Sequence, residues 1–327
     1  MTPANAVITL STGPEWLRLP LGDWAQAALD WVKVAFKGVL DVIGFVMSWL
    51  VDTLSTGLLA VPFLLLIAAL ALIGWAVRSW RFGVGTVITL LLIVAMDQWE
   101  NAMYTLALVL IATLVAVALA VPLGIWAARS DRVSAILKPV LDFMQTMPAF
   151  VYLIPAVIFF TIGFAPGVFA TVIFALPPGV RFTELGIRGV DSETVEAGYA
   201  FGATPGAILR GIQLPLAMPT IMAGINQVIM LALSMAVVAG MAGANGLGKE
   251  VVASISTLNV SQGVEAGLSV VLLAVFLDRV TAALGTPSEY PTSLRATLRR
   301  KRGIRVGAQG ASSSEPASTP RPATAPA

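Results

Sequence analysis

Between Asp142 and Arg181 the chain runs for 38 residues, 143–180, without one charged side chain. As a single helix this stretch would be about 57 Å long at 1.5 Å per residue, nearly twice the roughly 30 Å of hydrocarbon in a bilayer. The cluster Gly163-Phe164-Ala165-Pro166-Gly167 supplies a break, so the stretch predicts two membrane spans, the fourth and fifth. The whole chain agrees. It is 57% hydrophobic and 12% charged over 327 residues, with mean hydropathy +0.87, where a soluble domain carries roughly 25% charged residues. These numbers predict an all-α integral membrane protein.

Other charge-poor stretches predict about seven transmembrane helices in all: one within 53–77, a short one at 82–96, one within 101–128, the two of 143–180, one near 220–241, and one near 264–284 with Asp278 and Arg279 in its last turns. Lysine and arginine set the orientation, because cytoplasmic loops carry the excess of basic residues. Arg78 and Arg81 follow the first span, Arg129, Arg132 and Lys138 the third, Arg181, Arg188 and Arg210 the fifth, and Arg295 to Arg305 the seventh. The alternate loops hold Asp97 and Glu100, then Lys249, Glu250 and Glu265. Seven spans put every basic loop on one side, with the N-terminus outside and the C-terminus in the cytoplasm. The first 20 residues lack the basic and apolar regions of a cleavable signal peptide. Residues 31–54 are apolar but interrupted by Lys33, Lys37, Asp41 and Asp52. They read as an amphipathic helix on the outer leaflet or, alternatively, as an extra span. The Ser/Pro/Ala-rich segment after Arg305 reads as disordered.

Several chemistries are excluded by composition. Cysteine and histidine are both absent, which removes disulfides, thiolate nucleophiles and the commonest general base, metal ligand and proton relay. The net charge of +2, with no basic stripe interleaved with aromatics, argues against nucleic acid. GANGLGKEV (243–251) satisfies G-x-x-x-x-G-K, but Glu250 stands where the Mg²⁺-binding hydroxyl belongs, and a membrane helix rather than a strand precedes it. On the external face, where the orientation puts it, the loop reads as a tight turn. The chain is expected to have no nucleotide site, no metal site and no catalytic residues of its own.

The most polar internal segment, 181–217, predicts two short helices. Asp191, Ser192 and Glu193 suit a helix N-terminus and Gly202 the left-handed turn that ends the helix. Thr204-Pro205 restarts the chain as N-cap and first helical residue. Pro215 and Pro219 are expected to stop the second helix before the sixth span. Within it, EAGYAFGATPGAILRGIQLP (196–215) matches E-A-A-x3-G-x9-I-x-L-P, the EAA signature of permease subunits of bacterial ABC importers, through Glu196, Ala197, Gly202, Ile212, Leu214 and Pro215. Gly198 departs from it, standing where the second Ala is expected.

Further stretches, among them ALAVPLGIWAARSDR, LDFMQTMPAFVYLIPAVIFF and LPLAMPTIMAGINQVIMLALSMAVVAGM, resemble the permease of the glycine betaine/proline betaine importers over roughly residues 24–284. The resemblance implies a type I ABC importer transmembrane domain (101–285) with a cytoplasmic coupling loop (182–217). Preceding it are an external segment with the amphipathic helix (1–57) and the first two spans (58–100), and a basic then disordered tail (286–327) follows. It also implies a dimer of permeases in the bacterial cytoplasmic membrane, a cytoplasmic ATPase dimer that binds ATP and Mg²⁺, and a periplasmic or lipid-anchored binding protein that delivers the substrate. The coupling element would be Glu196, Ala197, Gly198, Gly202, Ala203, Thr204, Pro205 and Gly206, with Ile212, Leu214 and Pro215 beyond them. Glu196 is either a partner for the ATPase or a helix N-terminal charge.

A quaternary ammonium suits aromatic faces. Phe143, Met144, Gln145, Thr146, Phe150 and Tyr152 at the fourth span, and Asn226, Ser234 and Met235 in the sixth, either line the pathway or pack the bundle. Pro148, Pro155, Pro177 and Pro178 are expected to break their helices, as pivots or as tolerated kinks. The rival reading is an ion-coupled secondary transporter, which usually places ionisable residues in mid-membrane. Here the first six spans offer only Tyr104 and Tyr152.

Overall fold

A computed structural model describes residues 19–285. Residues 1–18, the basic residues 295–305 and the rest of the tail lie outside the described residues. Every element among those described is helical. α1 (Leu21–Ala35) and α2 (Lys37–Ala60) open the chain, followed by a hairpin of α3 (Phe63–Val77) and α4 (Trp80–Ala95) and by the long α5 (Trp99–Arg129). Then come α6 (Asp131–Thr146), α7 (Ala149–Phe160), α8 (Phe164–Arg188), α9 (Ser192–Ala200) and α10 (Pro205–Ile208). α11 (Leu214–Ala239), α12 (Leu247–Thr257) and α13 (Val260–Gly285) complete the order.

α8 forms the centre, buried against α5 on one side and α11 on the other. Small residues let the backbones approach, the packing mode expected where lipid supplies no hydrophobic drive between helices. A Cβ on Gly124 would lie 2.5 Å from Thr183 Cβ, one on Gly179 2.8 Å from Ala120 Cβ, and one on Gly224 2.5 Å from Phe182 Cβ. Around these contacts Val109, Ala112, Ala116, Val168, Ala175, Val228 and Ala232 are wholly buried. Asn226 in α11 donates to Asp278 in α13 at 3.0 Å, which accounts for a carboxylate being tolerated in an apolar helix.

Among the described residues five helices are long and apolar enough to cross a bilayer: α2, α5, α8, the continuous Pro205–Ala242 and α13. A sixth arises if α6 and α7, bent by 98°, form one broken span. The partition near the N-terminus differs from the sequence expectation. Extended backbone at Val61 and Pro62 divides residues 53–77 between α2 and α3. A residue before proline is driven out of the helical region, and this sets the boundary. The stretch expected to lie on the leaflet belongs to α1 and α2, and α2 alone has the length of a span. α3 and α4, of 15 and 16 residues, reach about 22–24 Å.

Two expectations about prolines need correction. Pro148 does break its helix, with Met147 extended before it, but Pro155 lies inside α7, and Pro177 and Pro178 lie inside α8. Pro215 and Pro219 do not end the second loop helix. Leu209–Gln213 forms a π-helical turn that leads straight into α11. The wider i→i+5 turn moves backbone away from the site where the Pro215 ring would clash with a preceding carbonyl.

Candidate functional site

At the end of α8 the chain leaves the bundle as a small knob. Asp191 caps α9, accepting from Thr194 N at 3.2 Å and from the Thr194 hydroxyl at 2.9 Å. The hydroxyl first, then the backbone N–H, hold its carboxyl below the usual carboxylate range. A nine-residue helix is marginal alone, and its far end is fixed as well. Gly202 turns at φ +77°, Ala203 N donates to Gly198 O at 3.1 Å, and Thr204 caps α10 with Pro205 at the first helical position.

Gly198 has a packing role: a Cβ there would come 2.8 Å from Ile212 Cδ1 and 3.4 Å from Ile208 Cγ1, so α9 rests directly on the second helix of the knob. Below, Ile187, Leu209, Ala217 and Ile221 form a buried cluster, with Val121, Val190 and Leu214 packed against it. The outward side is open. Glu196, Ala197, Pro205 and Gly206 are exposed, Tyr199 is half exposed, and Phe201 is 92% exposed.

The root of the knob carries a charge network built on Arg181 and Arg188, two of the basic residues that set the orientation of the chain. Arg188 pairs with Asp131 at 2.7 Å and Glu184 at 3.0 Å and donates to Ala127 O at 2.9 Å. Ser134 donates to the buried Glu184 at 2.6 Å, and Arg181 pairs with Asp142. α6, which buries only Ser134 and Leu141, is thus strapped to α8 by charge at both ends. The i, i+7 spacing of Arg181 and Arg188, with Glu184 four residues before Arg188, was the signal in the sequence.

The pathway candidates divide into groups. Tyr152, which donates to Met144 O, joins Met235 and Ala170 in one buried cluster with Met147 against it. Asn226 is engaged by Asp278 and Thr281. Phe143, Gln145, Thr146 and Phe150 are exposed around the α6–α7 bend, and Ser234 is exposed on α11 in line with Gln227 and Met230. The structure therefore brings Met144, Tyr152 and Met235 together, ties Asn226 to α13, and leaves Phe143, Gln145, Thr146, Phe150 and Ser234 on open faces. Among the described residues no group of three or more carboxylate, histidine or cysteine side chains is placed to hold a metal.

The GANGLGKEV loop is a packed turn between α11 and α12. Several of its amides are committed: Leu247 N donates to Thr105 Oγ1 at 2.8 Å, and Gly243, Ala244, Lys249 and Glu250 N donate to backbone carbonyls. Lys249 Nζ donates to Asn245 Oδ1 at 2.9 Å. A phosphate cradle needs converging free amides and a following hydroxyl; here several amides are already bonded, and Glu250 stands where the hydroxyl belongs.

A helical bundle with membrane-length spans, small-residue crossings and a capped knob at one end belongs to the class of polytopic transport permeases. The family described as "Binding-protein-dependent transport system inner membrane component" matches residues 120–286. The chain is 46% identical over 270 residues to the glycine betaine/proline betaine transport system permease protein ProW of Escherichia coli (strain K12), covering 83% of this chain and 76% of that protein. It is 46% identical to the glycine betaine transport system permease protein OpuAB of Bacillus subtilis (strain 168), covering 81% and 94%. To the glycine betaine/carnitine transport permease protein GbuB of Listeria monocytogenes serotype 1/2a (strain 10403S) it is 48% identical, covering 81% and 95%. In fold it is similar to a chain of a solved structure titled "Inward facing conformations of the MetNI methionine ABC transporter", with TM-score 0.54 and 17% identity over 58% of this chain and 95% of that one. The chain belongs to the family of inner-membrane permeases of binding-protein-dependent ABC importers, and it is a transport subunit, not an enzyme.

Proposed function

We propose that this permease carries glycine betaine, proline betaine or a related quaternary amine inward by alternating access, driven by a separate cytoplasmic ATPase that grips the knob. One observation carries the reading. The residues of the EAA signature build an exposed, doubly capped helix–turn–helix, rooted in α5, α8 and α11 by apolar burial and by Arg188. Such an element transmits a push into the helices that pack the core, and a loose loop would not. Gly202 and Thr204 set its turn, Gly198 seats α9 on the second helix, and Glu196, Ala197, Ala203, Pro205 and Gly206 lie at or beside its outer face. Ile212, Leu214 and Pro215 carry the motion through the π turn into α11.

The topology fits this reading. The knob's root holds Ala127 near one end of α5, and the GANGLG turn holds Thr105 near the other. The 22 residues between them span about 33 Å, close to a bilayer's thickness. We therefore place the knob and the C-terminus in the cytoplasm, the turn and the N-terminus outside, and count α3 and α4 as the first two of seven spans. The division at residues 57, 100 and 285, a permease homodimer, a periplasmic or lipid-anchored binding protein, and ATP with Mg²⁺ on the ATPase belong to the same proposal. Exposed Phe143 and Phe150 offer aromatic faces to a quaternary ammonium, and the Gln145 amide offers N–H donors to its carboxylate; the Thr146 and Ser234 hydroxyls, which donate to Phe143 O and Met230 O, would turn to do the same. Met144, Tyr152 and Met235 would hold that wall in shape.

The test is uptake of labelled glycine betaine into vesicles holding the permease with its ATPase and binding protein. Uptake should require internal ATP and vanish in Gly202→Val, whose side chain resists the left-handed turn, while insertion persists. Uptake by the permease alone under an ion gradient would instead establish the secondary-transporter reading.

A further inference from the structure

The α3–α4 hairpin takes no part in the knob or the proposed pathway, yet its outer crease is a groove of about 430 Å³ lined by Ala68, Ala71, Trp75, Trp80, Val84 and Val87 among others. That volume falls within the range of small-ligand sites. The crease exists because two helices cross closely behind it: a Cβ on Gly83 would lie 3.1 Å from Ala71 O, and one on Gly74 3.0 Å from the Phe82 ring. Its walls are almost wholly hydrocarbon, so whatever part of a ligand lies inside must be apolar.

The mouth has a different chemistry. Arg81 stands 5.8 Å from the Trp80 ring that lines the groove, and Arg78 stands 5.7 Å from the Phe82 ring behind it. Among the described residues no carboxylate pairs with Arg81. Two tryptophans beside two arginines are the anchors of a membrane interface. On the proposed seven-span reading, on which this inference rests, helices of 15 and 16 residues are shorter than the hydrocarbon they cross, so the turn draws its charges toward the acyl region. We propose that the crease is a fixed site for one anionic phospholipid, its headgroup on Arg81 and Arg78 and an acyl chain lying along Ala68, Ala71 and Val87 between the two tryptophans. The short hairpin, the apolar trough and the paired cations each match one part of that molecule.

The test is native mass spectrometry of the full chain in mild detergent, titrated with phosphatidylglycerol and phosphatidylcholine of matched acyl chains. The wild-type chain should retain phosphatidylglycerol at least fivefold over phosphatidylcholine. Arg81→Gln should cut that preference about fivefold, the equivalent of about 1 kcal/mol for one arginine near the surface. Val84→Trp, which fills the trough from an exposed position, should lose the retained lipid of either kind. Brominated phosphatidylglycerol should quench the wild-type chain more than a Trp75→Phe/Trp80→Phe variant, a readout independent of how well Val84→Trp folds. Equal retention of the two lipids, or retention indifferent to Val84→Trp, overturns the site. Loss of the dimer in Val84→Trp with lipid retention unchanged would also overturn it, assigning the crease to a second copy of the chain.

Discussion

The Ser134 hydroxyl donates to the Glu184 carboxylate at 2.6 Å, out of solvent and across 50 residues of sequence. The same carboxylate accepts from Arg188, whose other nitrogens reach Asp131 and the Ala127 carbonyl, so one guanidinium joins the ends of α5, α6 and α8 beneath the knob. Glu184→Ala would strand a buried hydroxyl and remove one of three anchors of a cation. The expected loss is about 2 kcal/mol. It stays below that of a fully buried pair because Arg188 is 38% exposed and water takes up part of the charge. Glu184→Gln keeps an acceptor for Ser134 and should lose less. Thermal unfolding of the detergent-solubilised chain reads both, and an unchanged midpoint for Glu184→Ala would remove the network from the account of the knob's rigidity.

Gly124 and Gly85 make a matched pair. A Cβ at Gly124 meets Thr183 Cβ at 2.5 Å and the Val180 carbonyl at 2.7 Å, whereas one at Gly85 meets nothing within 4 Å. Gly124→Ala must push α5 from α8 and should destabilise by about 1–3 kcal/mol. Gly85→Ala gains helix propensity in open space and should be neutral or stabilising by up to about 1 kcal/mol. The same unfolding measurement separates them, and equal midpoints would mean that the α5–α8 crossing yields to a methyl group at Gly124 without cost.

These contrasts mark how far the sequence could be read. Both ends of α9 were legible, because Asp191, Gly202 and Thr204-Pro205 act through their own backbone neighbours. The break at Gly163 was legible for the same reason. The fates of Pro155, Pro177 and Pro178 were not, since whether a proline ends a helix or sits inside one depends on what packs around it. The π turn at Leu209–Gln213 depends likewise on the burial of Leu209 and on α9 resting at Gly198. The strap of α6 to α8 was hidden because its partners Ser134, Asp131 and Asp142 lie about 40–60 residues from Glu184, Arg188 and Arg181.

Gly202 has φ +77° and open space where a Cβ would go, so substitution there costs backbone strain and causes no clash. Gly202→Asn, which tolerates the left-handed region, should keep most ATP-driven uptake. Gly202→Val, which does not, should lose it at normal membrane abundance. Equal loss in both variants would locate the requirement in the absence of a side chain, at the ATPase surface, and not in the turn.

The Asp191 cap sets a pH dependence. Its carboxyl titrates below its ordinary value of 3.8 because the Thr194 hydroxyl, then the Thr194 backbone N–H, favour the charged form. A depressed pKa in the folded state means the contribution is complete above the unfolded value and is lost as pH falls through the folded one. Amide exchange across 192–200 should therefore show no cap loss from pH 8 to pH 5, with α9 fraying only below about pH 4. Asp191→Ala should fray it at every pH, and Asp191→Asn should remove the pH dependence while keeping an acceptor. Fraying of the wild type near pH 6 would point to another group.

Thr105 and Lys249 test the turn that imitates a nucleotide loop. Thr105 Oγ1 accepts the buried Leu247 amide, and Lys249 is occupied by Asn245 on an exposed surface. Thr105→Val leaves that amide without a partner and should destabilise by about 1–3 kcal/mol. Lys249→Ala removes only an exposed contact and should leave stability and the ATP turnover of the assembled transporter unchanged. In a true phosphate loop the order would reverse, because the lysine reaches the β- and γ-phosphates and its loss would stop turnover in a folded protein. Measuring turnover and unfolding in the two variants therefore separates a structural turn from a nucleotide site. A stable Lys249→Ala transporter that no longer hydrolyses ATP would place nucleotide chemistry on this chain.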